Sequence, residues 1–104
     1  MNENIFDILH VMGVIVEHPY DKWITDSGEW RTLPHPGEIW HHFKGHDYKI
    51  IGSAIDSETG CELVLYAVED GIPWARPLSM FMSEVDHKKY PQAKQRWRFE
   101  RGVK

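Results

Sequence analysis

The feature that most constrains this chain is the run Cys61 to Val68, bracketed by two groups of turn residues. Cys61, Leu63, Leu65 and Ala67 alternate with Glu62, Val64, Tyr66 and Val68. A two-residue period is the mark of a β-strand, because successive side chains point to opposite faces of a sheet. Asp56-Ser57-Glu58-Thr59-Gly60 precedes the run and Glu69-Asp70-Gly71 follows it. Gly, Asp and Ser favour turns through backbone freedom and local hydrogen bonds, so the strand must begin and end there. A strand this short needs neighbours on both sides.

The neighbours are visible. Glu38 to Phe43 predicts a strand, Lys44-Gly45-His46 a tight turn, and Asp47 to Ile55 a second strand with Tyr48, Ile50 and Gly52 on one face. A short strand around Trp74 ends at Pro77, Leu78 to Met82 forms a helical turn, and Arg96 to Glu100 closes the set. Short strands joined by close turns indicate a small barrel or roll. Upstream, Lys22 to Thr25 and Glu29 to Thr32 suit a hairpin about Asp26-Ser27-Gly28, and Leu33 to Gly37 is a sharp connection. Ile5, Ile8, Leu9 and Met12 recur at helical spacing before Gly13, which predicts a helix over about residues 3–12. Val14 to Val16 continues as a strand until Pro19.

Size and composition narrow the function. One hundred and four residues with a 41% apolar fraction make one ordinary globular unit, with residues 1–36 as an extension and 37–104 as the β-rich domain. A formal charge of −4 disfavours bulk nucleic-acid binding, which depends on a basic surface that releases counterions. Basic residues do gather late, from Lys88 to Lys104. No apolar run is long enough to span a bilayer. The opening Met1-Asn2-Glu3 lacks the basic start of a secretory signal, and the lone Cys61 suits a reducing compartment. A cytoplasmic protein is expected.

Several pieces together carry a resemblance. His42-Phe43-Lys44-Gly45 is followed by Tyr48, Ser57-Glu58-Thr59, Leu63-Val64-Leu65-Tyr66, Trp74-Ala75-Arg76-Pro77 with Met80-Phe81, and Arg98-Phe99. In that order, over about residues 37–99, the chain resembles the bacterial and phage family called domain of unknown function 1653. The resemblance implies an SH3-like β-roll and no assigned activity. The fold expected is therefore mainly β: a small SH3-like β-roll or barrel with an N-terminal helix and hairpin extension.

Three groups of residues could carry chemistry. Seven histidines suggest a metal, but His41 and His42 must point to opposite faces of a strand, and no Cys-x-x-Cys or His-Glu-x-x-His motif is present. No metal or other cofactor is expected. Cys61 is expected to be a small core residue, and Ser57 to be held in its turn, so no catalytic residue is assigned and the protein is not expected to be an enzyme. Trp74 and Arg76 lie two apart in an extended segment and share a face. An indole beside a guanidinium suits a flat anion, which one stacks and the other grips. Alternatively, Trp74 fills the core and Arg76 pairs with Glu58 or Glu62. Lys44, Arg96 and Arg98 would extend a cationic rim.

The expected ligand-binding residues are Trp74, Arg76, His42, Lys44, Tyr66 and Arg98. The expected function is non-catalytic binding of a small anionic, nucleotide-like molecule, which in a phage would serve to sequester a signalling nucleotide. A protein-interaction adaptor that holds a peptide in an aromatic SH3-like groove is the second reading, and an RNA-binding module the third. The extension carries Ile5, Phe6, Ile8, Leu9, Met12, Trp23 and Trp30, and this surface is expected to be covered by the roll or, in the favoured arrangement, in a homodimer.

Overall fold

The computed structural model describes residues 22–102. The helix expected over residues 3–12 and the strand at Val14 to Val16 lie outside the described residues. The hairpin is formed by β1 (Lys22–Ile24) and β2 (Trp30–Thr32), with Trp23 opposite Arg31. Its turn closes through the Thr25 N–H on the Glu29 carbonyl at 2.8 Å and the Glu29 N–H on Thr25 Oγ1 at 3.0 Å. Trp23 packs against the core, whereas Trp30 is 67% exposed on the single chain.

The main body is one antiparallel sheet. Its strands are β3 (Ile39–His42), β4 (Asp47–Ile55), β5 (Glu62–Ala67), β6 (Trp74–Pro77) and β7 (Phe99–Arg101), in the order β6-β5-β4-β3-β7. A short helix, α1 (Leu78–Phe81), follows β6 directly and sends Leu78 and Phe81 inward. The last strand starts later than expected. Trp97 bridges to Glu84 instead of to β3, and Arg98 N–H donates to the Ser83 carbonyl at 2.9 Å.

A bulge on β4 changes the expected faces. The register shifts between Ile50 and Gly52, so Ile50 lies opposite Tyr66 while Gly52 lies opposite Leu65. Adjacent residues of β5 face opposite ways, and Gly52 therefore leaves the face shared by Tyr48 and Ile50. Ile51, the extra residue, is exposed.

The core settles the orientation of β5. Leu33, Trp40, Ile50, Val64, Tyr66, Leu78, Phe81, Met82 and Phe99 form one buried cluster. Phe81 and Phe99 stack with centroids 4.0 Å apart, and Tyr66 meets both edge-on at 5.6 and 5.3 Å. The inward face thus carries Val64 and Tyr66. Cys61 precedes the strand and is an exposed free thiol, which corrects its expected place in the core. None of the described helices is long and apolar enough to cross a membrane.

Candidate functional site

The tight turn after β3 is built by its glycine. Gly45 has φ +111°, a conformation that L side chains rarely adopt. The turn is closed by Gly45 N–H on the His42 carbonyl at 2.8 Å and His42 N–H on the His46 carbonyl at 2.7 Å. It sets Lys44 beside His42, and the Lys44 N–H donates to His42 Nδ1 at 3.1 Å. An imidazole that accepts at Nδ1 carries its proton on Nε2.

A second turn comes from far along the chain. Asp86 Oδ1 accepts the N–H groups of Lys88 and Lys89 at 3.1 and 3.3 Å, and the Asp86 carbonyl accepts the Tyr90 N–H at 2.8 Å. The Phe43 N–H donates to the Arg98 carbonyl at 3.0 Å and binds this region to the first turn. Arg76 enters from β6. The two turns, Arg76 and Arg98 enclose a cavity of about 240 Å³ lined by His42, Phe43, Lys44, Arg76, Asp86, Lys89, Tyr90 and Arg98.

The cavity is electropositive. Lys44, Arg76, Lys89 and Arg98 face one carboxylate, and that carboxylate already accepts two backbone N–H groups. His42 is part of the lining, and its pKa is pushed down to about 4. Burial is the largest cause, followed by the charges of Arg76, Lys44, Arg98 and His46. His42 is therefore a neutral donor at neutral pH. The Tyr90 phenol is also lowered, first by its hydrogen bond with Lys44. Lys44 and Lys89 lie 4.9 and 5.5 Å from the centroid of its ring.

Four of the expected ligand-binding residues meet in this cavity: His42, Lys44, Arg76 and Arg98. Tyr66 lies beneath it, buried, and its phenol accepts the Arg76 Nε–H at 3.0 Å. Trp74 is outside the lining and 57% exposed, so it neither fills the core nor joins Arg76 at the cavity. Arg96 is also elsewhere. It pairs with Glu29 and Glu84 and lies over the Trp97 ring. Ser57 stays in its turn, where Asp56 Oδ1 accepts the Glu58 N–H at 2.9 Å.

Sequence reasoning missed Lys89, Tyr90, Asp86 and Phe43 as members of the site. The local signal for the second turn is Asp86 followed by Lys88 and Lys89, an acceptor that folds the backbone back on itself. Among the described residues no group of three or more His, Cys, Asp or Glu could hold a metal ion.

A larger groove of about 880 Å³ runs between the hairpin and the β3–β7 edge, with Arg31, Trp40 and Trp97 among its walls. Its two arginines are already engaged. Arg31 donates to the carbonyls of Met82 and Phe99 at 2.8 and 2.7 Å, and Arg101 pairs with Glu38 at 3.2 Å. The smaller cavity has the unspent charge, and chemistry favours it over size.

A family model described as protein of unknown function, DUF1653, matches residues 38–101, more than half of the chain. The chain belongs to this family. The DUF1653 region contains all of β3 to β7 and every residue that lines the cationic cavity. The β1–β2 hairpin lies before it. No curated protein and no solved structure matches the chain.

Proposed function

We propose that this DUF1653 protein is a non-catalytic binding protein that holds a small anionic, nucleotide-like ligand in the cavity between the two turns. The observation that carries the reading is the charge there: Lys44, Arg76, Lys89 and Arg98 against Asp86 alone. Like charges gathered in a partly enclosed site repel one another, and an anion relieves that repulsion. At about 240 Å³ the cavity is smaller than most organic-ligand pockets. It suits the anionic head of a ligand, with the remainder lying outside. Phe43 and Tyr90, edge-on at 5.1 Å, offer aromatic surface at its border for such a remainder. The proposal extends to an SH3-like roll in the cytoplasm. Strand order and hairpin support the first, and the unpaired thiol of Cys61 the second.

Arg76→Ala in the full chain tests it. Affinity for nucleoside monophosphates should be lost while the melting temperature stays within a few degrees of the parent, because the repulsion relieved among Lys44, Lys89 and Arg98 offsets the hydrogen bond that the Tyr66 phenol loses. Unchanged binding would remove the proposed site.

A second reading rests on the larger groove. Trp97 and Pro36 in its lining suit an extended peptide, as the adaptor reading requires. Peptide binding that survives Arg76→Ala and fails in Trp97→Ala would favour it.

A further inference from the structure

The two arginines of the cationic cavity are held in the same way. Arg76 donates its Nε–H to the Tyr66 phenol at 3.0 Å. Arg98 donates its Nε–H to Ser83 Oγ at 3.2 Å, and that hydroxyl in turn donates to the Met80 carbonyl at 2.6 Å. Each guanidinium is thus fixed at its inner nitrogen. Its two terminal nitrogens make no hydrogen bond among the described residues, although both side chains line the cavity. Two fixed forks, with the ammonium groups of Lys44 and Lys89 beside them, present many donors to one small volume.

We infer that the cavity takes a terminal phosphate monoester as its dianion, and not a phosphodiester or a single carboxylate. The inference rests on the anion site proposed above and names the group that enters it. A monoester offers three terminal oxygens to the two forks and two ammoniums, whereas a diester offers two oxygens and a single charge. Four cations against one carboxylate leave a net local charge of +3 (4 − 1), which a dianion reduces further than a monoanion does. The small cavity also fits a chain end better than a strand that must pass through with both ester arms. His42, neutral with its proton on Nε2, adds a donor without adding charge. Ligands with a terminal phosphate, such as mononucleotides, are therefore preferred to cyclic nucleotides and to the backbone of RNA.

Methyl phosphate, dimethyl phosphate, acetate and sulfate are titrated into the full chain and followed by NMR of the arginine side chains. At about pH 7.5 methyl phosphate should bind roughly tenfold more tightly than dimethyl phosphate or acetate, and by about pH 5 it should lose roughly tenfold, because its second ionisation lies near pH 6. Sulfate remains a dianion throughout this window. Its affinity should change little, and any titration of His46, His42 or Asp86 would appear with sulfate too. Equal binding of monoester and diester, or a monoester affinity that ignores pH, overturns the inference while the anion site stands. Failure of all four anions to bind overturns both. Arg98→Lys, which keeps the charge and the fold but lacks the fork, should narrow the preference for monoester over diester, and an unaltered preference would also overturn the inference.

Discussion

The guanidinium of Arg31 lies 4.3 Å from the centroid of the Trp97 ring. On the ring's account a second guanidinium, that of Arg96, is 4.4 Å away, so the indole is held by two cations. Arg31 comes from β2 and reaches the carbonyls of Met82 and Phe99, both residues of the core. It ties the hairpin to the sheet. Burial lowers its pKa to about 10, with Glu100 opposing the shift and Arg96 adding to it. It remains charged at any physiological pH.

Arg31→Ala should therefore destabilise the fold by about 2–3 kcal/mol, since two charge-assisted hydrogen bonds and a ring contact are lost together. Arg31→Lys should recover only part of this, because an ammonium cannot reach two carbonyls with a planar fork. Urea denaturation gives the answer. A midpoint unchanged in Arg31→Ala would show that the hairpin is not held by this residue.

Much of the sheet was legible, for local reasons. The turns at Lys44-Gly45-His46 and Asp56 to Gly60 bracket β4, whose bounds Asp47–Ile55 match those expected. Faces were harder. Both faces of β5 are apolar, Leu63 and Leu65 on one and Val64 and Tyr66 on the other, so alternation alone could not say which looked inward. The bulge at Ile51 has no signature stronger than a following glycine. The site was half legible. His42, Lys44, Arg76 and Arg98 stood out by charge and by proximity to turns. The partner of Arg76 is a phenol across the β5–β6 pair, however, and Lys89 and Tyr90 arrive through the long-range bond between Phe43 and Arg98. Such contacts depend on how the sheet curls, which no local pattern records.

Stability should fall on acidification because of His42. Its pKa is about 4 in the folded protein and near 6.5 when unfolded. Between these values the unfolded chain binds the extra proton, so stability is fully present above about pH 6.5 and declines as the pH drops towards 4. The loss is of the order of 1–3 kcal/mol after allowance for solvent screening. Denaturation midpoints of the parent and His42→Gln across this range should converge as the pH falls. Glu29, lowered first by its hydrogen bond from Arg96, and Glu38, lowered by its hydrogen bonds against the opposing effect of burial, also lose stability as the pH falls through the ordinary value of 4.5, and this loss at the acid end is common to both proteins. Parallel curves for the two proteins would mean that His42 is not the group responsible.

Cys61 should react in the native state. It is exposed and precedes β5, so a thiol reagent needs no unfolding to reach it. One equivalent should be modified without denaturant, at a rate close to that in urea, and Cys61→Ser should leave stability within about 0.5 kcal/mol. Protection of the thiol until the protein unfolds would return it to the core.

Gly45 and Gly52 offer a comparison that isolates backbone conformation. A Cβ at either position meets no atom within 4 Å, so neither substitution to alanine creates a clash with the rest of the fold. Gly45, however, has φ +111°, whereas Gly52 lies outside the positive region. Gly45→Ala should cost about 1–3 kcal/mol through strain alone. Gly52→Ala should change stability by less than about 1 kcal/mol, since the conformational freedom removed from the unfolded chain offsets small losses in the sheet. The difference has a functional consequence, because the Gly45 turn sets Lys44 beside His42 at the cationic cavity. Any relaxation of the strain must shift the Lys44 ammonium, and phosphate affinity should fall several-fold in Gly45→Ala and be unchanged in Gly52→Ala. Equal stability of the two variants would show that the turn tolerates a side chain, and equal phosphate affinity would separate the turn's geometry from the site.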